Sequence, residues 1–222
     1  DQSSNSNNWS LGAGTVTKTE DSPSNVFATL NYLHKVDDWS LTNGNTIFTN
    51  NSSGHRMTNS TIAGYSGKFY GEVKINTVGS SQSTGVIDPD NFSFNTYFHN
   101  VGRGYGYKSN DGTIRFNDGT LNASYGASYT TGDIIGIAMD LDNYKLYFSK
   151  NGTWQNSGDP TSGATGTGSA ANLATGVAYT FGQSTQDAGT DPVTNWNFGN
   201  GYFGATAVSS AGTNASGNGI FE

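Results

Sequence analysis

Residues 133–154 read DIIGIAMDLDNYKLYFSKNGTW, and this stretch decides the fold class. Every second position from 135 to 141 is apolar, and the positions between them are small or apolar until the turn, which is typical of a strand inside a sheet. After the turn, Leu146 and Phe148 share one face of a second alternating run. Asn-Gly then predicts another tight turn, which returns Trp154 to the core. The stretch therefore predicts two antiparallel strands of a buried sheet.

The corner between these strands, DLDN at 140–143, has two interpretations. Carboxylate and amide oxygens are ligands of Ca²⁺, so Asp140 and Asp142 are candidate metal ligands. Ca²⁺ takes roughly six to eight oxygens, however, and the motif offers about three, without a glycine or distal glutamate to complete a loop. Asp and Asn side chains also hydrogen-bond to their own backbone in turns. We therefore predict a structural corner, no metal site and no cofactor.

The composition suits an exposed β-protein without covalent cross-links. Charged residues make up 12% of the 222-residue chain and aromatic residues 13%. The charged share lies well under the roughly 25% usual for soluble domains, while the aromatic share is high enough to form a packed core. Because there is no Cys, disulfides, thiolate catalysis and zinc–thiolate sites are excluded.

Charge and hydropathy argue against two classes of partner. Phosphate binding requires clustered Lys or Arg, whereas the formal charge is -7. Arg occurs only at positions 56, 103 and 115. No apolar run approaches the roughly 20 residues that span a bilayer as a helix. We predict no nucleic-acid partner and no membrane insertion.

Further alternating runs predict the rest of the fold. Strands are expected at 45–49, 68–75, 91–98, 177–181 and 194–198, and a hairpin turn at 110–112 joins 105–108 to 113–116. Residues 156–172 contain no large apolar side chain and predict a long loop. No segment shows a helical apolar repeat, so the sequence predicts an all-β fold, an antiparallel two-sheet β-sandwich.

Two of these strands carry predictions about side-chain direction. In 68–75 the odd positions are predicted to face the core, and the even positions, Glu72 among them, to face solvent. In 91–98 the phenylalanines are predicted to face inward.

The motif in residues 132–154 resembles the signature of the SPRY (B30.2-like) domain, a bent two-sheet β-sandwich related to concanavalin-like jelly rolls. GKFYGEV at 67–73, YGY at 105–107, IRFNDG at 114–119 and NFG at 197–199 resemble other motifs of that family, in the expected order. Tyr144 departs from the pattern, which commonly has Gly there, so we predict a strained turn with Tyr144 at its tip. The residues that carry the signature are Asp133, Gly136, Asp140, Leu141, Asp142, Leu146, Phe148, Asn151, Gly152 and Trp154.

The resemblance covers residues 27–203 and sets the expected domain boundaries. Residues 1–26 are predicted to be a polar linker or arm. Residues 204–222 are predicted to be a small-residue segment that leads into a missing downstream part and ends on the opening of a strand.

Residues 1–9, 21–31 and 217–222 also resemble bacteriophage virion proteins, often of marine phages, in which a SPRY domain follows a linker and a concanavalin-like domain. The resemblance implies a non-enzymatic virion-surface module of a tail fibre, spike or capsid appendage, which recognises a host-surface glycan or protein. It also implies contacts with other virion subunits and a homo-oligomer. The alternative is a purely structural assembly or decoration domain, and a third is a carbohydrate-active enzyme.

In the SPRY family, ligands dock on loops at one end of the sandwich. Matched by motif, residues 116–118 lie on one such loop, with two tyrosines near it, and residues 181–183 lie on another. Aromatic and amide side chains together suit sugars, through stacking and directional hydrogen bonds, although each aromatic alone is favoured as a core residue. The candidate ligand contacts are Tyr105, Tyr107, Phe116, Asn117, Asp118, Phe181, Gly182 and Gln183.

No arrangement of ionisable residues singles out a catalytic site. Glycoside hydrolysis needs two carboxylates across one groove, and the acidic residues show no spacing that selects such a pair. His34, His55 and His99 lie in separate segments without metal-ligand spacing, and no G-x-S-x-G motif occurs. We predict no catalytic residues.

Overall fold

The computed structural model describes residues 26–34, 38–117, 119–186, 189–213 and 219–222. Within these ranges the chain forms strands, turns and four 3₁₀ helices of three residues each, without an α-helix. No helix in this part of the chain is long and apolar enough to cross a membrane. The predicted arm, residues 1–26, lies outside the described residues except for Val26, so that boundary stays a prediction.

In chain order the strands are β1 (Trp39–Thr42), β2 (Ile47–Asn50), β3 (His55–Asn59), β4 (Lys68–Thr77), β5 (Ser80–Ile87), β6 (Gly104–Lys108), β7 (Ile114–Phe116), β8 (Gly119–Asn122), β9 (Ile134–Asp140), β10 (Lys145–Lys150), β11 (Thr153–Trp154), β12 (Ala171–Asn172), β13 (Thr180–Gln186), β14 (Val193–Asn197), β15 (Tyr202–Phe203), β16 (Thr206–Ala207), β17 (Gly212–Thr213) and β18 (Ile220–Phe221). The 3₁₀ helices are Pro89–Asn91, Phe98–Asn100, Gln155–Ser157 and Gly163–Thr165.

Two antiparallel sheets pack face to face. The eight-stranded sheet has the order β1-β2-β14-β4-β9-β10-β11, with β12 added beside β10. The six-stranded sheet has the order β3-β13-β5-β6-β7-β8. Short hairpins β15-β16 and β17-β18 follow the sandwich. The predicted all-β, antiparallel two-sheet sandwich is confirmed.

β9 and β10 form the predicted hairpin, in register from Asp140 opposite Lys145 to Ile135 opposite Lys150. Tyr144 lies at its tip with φ of +55°, the left-handed region that costs a bulky residue free energy. The Tyr144 side chain is half-buried against the core, which offsets part of that cost. The predicted strained tip is confirmed.

The structure corrects the position of Trp154. This residue pairs with Ser149, an outward position of β10, so its ring lies on the outer face of the sheet. It is half-buried there, with its ring centroid 6.2 Å from that of Tyr70. The Asn-Gly turn was predicted correctly. A shift of one residue in strand pairing moves a side chain to the other face of the sheet, and the pairing after this turn places Trp154 on the outer face.

The core lies between the two sheets and follows the predicted alternation. Val73 and Ile75 of β4 are fully buried. On neighbouring β14, Trp196 is also fully buried and stacks on Phe198 with ring centroids 5.2 Å apart. Its Nε1 donates to the side-chain oxygen of Gln183 in the opposite sheet at 3.1 Å, so a polar contact joins the sheets within the apolar core.

Glu72 is buried, and its predicted solvent position is wrong. The residue does point away from the core between the sheets, but β18 covers that outer face. The carboxylate accepts hydrogen bonds from the Tyr70 hydroxyl (2.9 Å), Asn197 Nδ2 (3.3 Å) and the backbone N–H of Glu222 (3.0 Å). Burial raises the pKa of Glu72, and the hydrogen bonds offset only part of this rise. The described residues of the C-terminal segment therefore fold back onto the sandwich.

Residues 91–98 form no strand, which corrects a second prediction. They belong to a loop, residues 88–103, that joins β5 to β6 and crosses the outer face of the six-stranded sheet; we call it the covering loop. Asp88 accepts a hydrogen bond from the N–H of Asp90 at 3.0 Å and caps a 3₁₀ turn, and Pro89 has no N–H for a ladder. Phe98 is buried as predicted, but in a second apolar cluster with Met57 and Ile87.

Candidate functional site

Strand register gathers several loops at one end of the sandwich, which we call the loop end. Lys68 at the start of β4 lies opposite Asp140 at the end of β9. In the other sheet, Gly182 near the start of β13 lies opposite Asn59 at the end of β3. The loop end comprises residues 26–34, 60–67, 141–144, 173–179 and 198–201.

An apolar cavity of about 260 Å³ lies between the sheets at the loop end. The lack of a side chain at Gly64 keeps part of this space open, because a Cβ there would lie 2.5 Å from the Phe69 ring. The lining includes Tyr70 together with four phenylalanines and one methionine, namely Phe27, Phe69, Phe181, Phe198 and Met139. Such a cavity can take an apolar group and offers few hydrogen-bonding partners.

The mouth of this cavity continues into an exposed apolar surface. Six large hydrophobic side chains of the described residues are exposed, and five lie on two short segments at the loop end, 26–33 and 62–65. We call these five the apolar ridge: Val26, Tyr32, Leu33, Ile62 and Tyr65. Leu33 is 88% exposed and Tyr65 is 69% exposed. Val26 and Ile62 also line the cavity, so two residues of the ridge lie at its mouth.

Backbone hydrogen bonds hold the two segments of the ridge together. The N–H of Thr61 donates to the carbonyl of Thr29 at 2.8 Å, and the N–H of Asn31 donates to the carbonyl of Asn59 at 2.8 Å. Leu30, between them, is fully buried. Backbone hydrogen bonds and the buried Leu30 therefore fix the two segments that carry the ridge.

The eight predicted ligand contacts are mostly interior. Tyr105, Tyr107, Phe181, Gly182 and Gln183 are buried within β6 and β13, so the predicted loop position of 181–183 is wrong. Phe116 is half-buried and stacks on the Tyr105 ring at 4.4 Å between centroids. Asn117 is exposed in the β7–β8 turn with φ of +51°, and Asp118 lies outside the described residues.

Two of these side chains have structural hydrogen-bond partners, and a third lines the cavity. The Tyr107 hydroxyl donates to the carbonyl of Ala127, and burial raises the pKa of Tyr107. The Gln183 side-chain oxygen accepts from Thr194 at 2.9 Å and from Trp196. Phe181 contributes to the candidate site because its ring forms a wall of the cavity.

The sequence analysis missed the apolar ridge. Its residues lie in segments 26–33 and 62–65, and neither segment belongs to the motifs that resemble the SPRY family. The available signal was the presence of Val, Tyr, Leu and Ile in stretches without strand alternation. That signal does not separate exposed from buried side chains.

Asp140 forms the predicted corner of the β9–β10 hairpin. Its carboxylate accepts from the N–H groups of Asp142 and Asn143, both at 3.1 Å, and from Asn143 Nδ2 at 2.9 Å. Lys68 Nζ lies 3.1 Å away. Burial alone would raise the pKa of Asp140, but the hydrogen bonds from Asn143 and Lys68 bring it below its usual range. Among the described residues no group of three His, Asp or Glu side chains could hold a metal ion.

Replacing Asp140 with alanine is expected to lower the free energy of unfolding by about 2 kcal/mol, because the buried carboxylate is the acceptor for two backbone N–H groups of the turn and the partner of Lys68. Urea unfolding measures this. Asp142→Ala is the control: Asp142 is exposed and accepts one hydrogen bond, from the N–H of Gly67 at 2.7 Å. A rise in melting temperature of the unmodified chain on adding CaCl₂, lost in Asp140→Ala, would contradict the structural role.

The histidines are not as separate as the sequence suggests. The rings of His55 and His99 both contact the ring of Tyr97, with centroid distances of 3.8 Å and 5.3 Å. His34 contacts Phe92 at 4.7 Å. His55 and His99 thus lie at the covering loop, whereas His34 belongs to residues 26–34 of the loop end and reaches the covering loop through its contact with Phe92.

No family model matches the chain. Among solved structures, the SPRY domain of human HERC1 superimposes with a TM-score of 0.56, covering 72% of this chain and 92% of that chain, at 18% identity. The fold is that of a SPRY domain. A second human SPRY domain gives a TM-score of 0.51 at 13% identity, with 72% and 94% covered. At these identities the likeness to SPRY domains concerns the fold alone.

Curated relatives match part of the chain. Ran-binding protein 9 of Danio rerio is 33% identical over 87 residues, which is 39% of this chain and 14% of that protein. The dual specificity protein kinase splA of Dictyostelium discoideum is 36% identical over 95 residues, which is 40% of this chain and 4% of that protein. The chain thus spans a small part of the length of these relatives.

Proposed function

We propose that this SPRY-like chain is a non-enzymatic binding module of a virion surface, which recognises a host-surface protein or glycan at its loop end. The observation that carries the proposal is the union of the cavity with the apolar ridge. Exposed apolar side chains scattered singly are ordinary, whereas several on two paired segments beside an apolar cavity are typical of interaction sites. Five of the six exposed large hydrophobics of the described residues lie there.

The fold and the relatives support binding rather than catalysis. Proteins that share 33% identity with this chain over 87 residues are named Ran-binding proteins, in Danio rerio and in Homo sapiens. The kinase relative matches over 4% of its length only. The virion location is supported by the resemblance of residues 1–9, 21–31 and 217–222 to phage proteins, a resemblance that lies largely outside the described residues.

The chemistry of the loop end favours a protein partner over a glycan. Sugars need directed hydrogen bonds from amides and carboxylates as well as an aromatic surface. The cavity is lined mostly by phenyl rings, aliphatic side chains and a thioether, with Tyr70 as its one polar side chain, and such a lining suits an aliphatic or aromatic group. A structural contact between virion subunits is the second candidate, because an exposed apolar ridge equally suits a homo-oligomer.

The double substitution Ile62→Ser and Tyr65→Ser is expected to weaken binding of the labelled chain to intact host bacteria at least about tenfold, as for central anchors of an interface. Flow cytometry measures the binding. Leu121→Ser is the matched control: Leu121 is 49% exposed but lies on β8, at the other edge of the six-stranded sheet. It should bind like the unmodified chain.

Each of three other results would contradict this proposal. Unchanged host binding by the double variant would exclude the ridge as the receptor site. Loss of oligomers in light scattering, together with unchanged host binding, would establish the structural alternative. Release of oligosaccharide from host surface material would show that the chain is an enzyme.

A further inference from the structure

The free volume of the apolar cavity at the loop end depends on one glycine. Gly64 exchanges two backbone hydrogen bonds with Tyr179, at 3.0 Å and 2.9 Å, which hold its backbone in place. A Cβ on Gly64 would lie 2.5 Å from the Phe69 ring and 3.2 Å from the side chain of Leu141. Because the Phe69 ring lines the cavity, a side chain at position 64 would force that ring to move.

The size and lining of the cavity suit a single side chain. Its volume is about 260 Å³, just below the range of roughly 300 to 1,000 Å³ that is usual for sites of small molecules. The hydroxyl of Tyr70 already donates to Glu72 at 2.9 Å. Met139 has a flexible thioether, which adapts to the shape of a neighbouring group. An aliphatic side chain can therefore be buried here without leaving a polar group unpaired.

The loop end carries one unpaired negative charge. Asp142 is the only carboxylate of its residues, and it is exposed. None of the ion pairs of the described residues includes Asp142. At the margins of the loop end, Lys68 pairs with Asp140 at 3.1 Å. Arg103 likewise pairs with Asp88 at 2.9 Å, so these four charges cancel.

Hydrogen bonds connect Asp142 to the segment that bounds the cavity. Its carboxylate accepts from the N–H of Gly67 at 2.7 Å. The N–H of Leu141 donates to the carbonyl of the same Gly67 at 2.9 Å. Gly67 follows Gly64 by three residues. The charge of Asp142 is therefore held beside the segment that contains the cavity glycine.

We propose that a partner protein inserts one aliphatic side chain into this cavity, and that a basic residue next to it in the partner pairs with Asp142. This inference rests on the proposed binding function of the loop end and specifies the chemistry of the partner. Gly64 determines specificity, because it keeps the Phe69 ring out of the space that the inserted side chain occupies. An anchor that fills a pocket is typical of the residues that dominate binding energy in interfaces.

Benzene is a probe of the cavity that does not require the partner, since small apolar molecules enter apolar cavities in protein interiors. In the intact chain with labelled methionine methyl groups, benzene is expected to shift the NMR resonance of Met139. Gly64→Ala should lower the affinity for benzene at least about fivefold, because the displaced Phe69 ring fills the space. Met57, in the second apolar cluster, is the internal control. No shift at Met139 would overturn the inference.

Host binding tests the inserted side chain. Gly64→Ala is expected to weaken binding of the labelled chain to intact host bacteria about tenfold or more. Gly119→Ala is the matched control, because its added Cβ would meet only the carbonyl oxygen of Phe116, at 3.6 Å. Ala28→Leu is a second variant: Ala28 also lines the cavity, and a larger side chain there fills it. It should weaken binding in the same way if Gly64→Ala does not fold.

The charge of Asp142 gives a separate test. Asp142→Asn keeps an acceptor for the N–H of Gly67 and removes the charge. Host binding should fall about threefold at low salt and depend less on salt concentration. Asp191→Asn is the matched control: Asp191 is exposed and accepts a hydrogen bond from Asn51 Nδ2 at 3.2 Å, but it precedes β14 at the opposite end of the sandwich. Equal salt dependence of the unmodified chain and Asp142→Asn would overturn the basic residue in the partner.

The outcomes separate this inference from the proposed function. Weaker host binding by the double variant Ile62→Ser and Tyr65→Ser, with unchanged binding by Gly64→Ala, would overturn the inference and leave the proposed function in place. Unchanged binding by both variants would overturn the two together. Oligomers of the unmodified chain that dissociate in Gly64→Ala, measured by light scattering, would also overturn the inference, because the occupant would then be a second copy of this chain.

Discussion

Replacing Phe148 with alanine is expected to lower the free energy of unfolding by about 4 kcal/mol, the largest effect of any substitution considered for this chain. Phe148 is fully buried on β10, in the stretch that identifies the fold. Its ring lies 5.3 Å from that of Tyr107 and 6.0 Å from that of Tyr125, measured between centroids. The rings come from different parts of the chain, so the cavity left by truncation cannot close by a local shift.

Urea unfolding followed by tryptophan fluorescence measures this loss, and a chain of this size should also melt roughly 10 °C lower. Leu121→Ala removes a large side chain that is 49% exposed on edge strand β8. It is the matched control and should change stability by less than about 0.5 kcal/mol. A loss below about 1 kcal/mol in Phe148→Ala would mean that the two sheets do not pack as described.

Gly182→Ala is expected to destabilise the fold by about 3 kcal/mol, because the added methyl group has no space. The new Cβ would lie 2.7 Å from the carbonyl oxygen of Thr58 and 2.8 Å from the Phe98 ring. Either β3 or the covering loop must shift to accept it. The expected effect is therefore on stability, and on protection of the Phe98 amide, rather than on a ligand contact.

The matched control for Gly182→Ala is Gly119→Ala. At Gly119 the added Cβ would meet only the carbonyl oxygen of Phe116, at an ordinary 3.6 Å, so stability should change by less than about 1 kcal/mol. If Gly182→Ala proved as stable as the unmodified chain but bound host cells more weakly, Gly182 would be a ligand contact as the sequence predicts, and its burial under Phe98 would be wrong.

Local patterns predicted much of the fold. The alternation in 133–154, the Asn-Gly turn and the left-handed Tyr144 depend on neighbours in sequence, and each is found in the structure. The hairpin of residues 105–116 is likewise confirmed by the pairing of β6 with β7. The structure also agrees that Asp140 stabilises the corner of this hairpin. Its carboxylate accepts hydrogen bonds from the N–H groups of Asp142 and Asn143, which lie only two and three residues further along the chain.

Predictions failed where a distant segment covers a strand. Alternation correctly turned Glu72 away from the inner core, but β18, some 150 residues further along the chain, covers that face. The phenylalanines of 91–98 have the spacing of a strand, yet Pro89 and the cap at Asp88 turn the chain, and Phe98 packs on the outside of a sheet. Alternation of apolar and polar residues predicts which face of the sheet a side chain occupies, but it does not predict which other segment covers that face.

The sequence by itself determined the class of this protein: an all-β sandwich with its central hairpin, which, without Cys, contains no disulfide. Those features follow from side-chain alternation and turn chemistry, which act over a few residues. Only the tertiary structure decided which apolar side chains are exposed and which of them lie beside a cavity. The apolar ridge and the cavity exist because residues 26–33 pair with residues 59–61, and because Phe181 of β13 lines the same cavity as Phe69 of β4 and Phe198, which follows β14. Exposure of that kind depends on which segments meet in space, which no local pattern encodes.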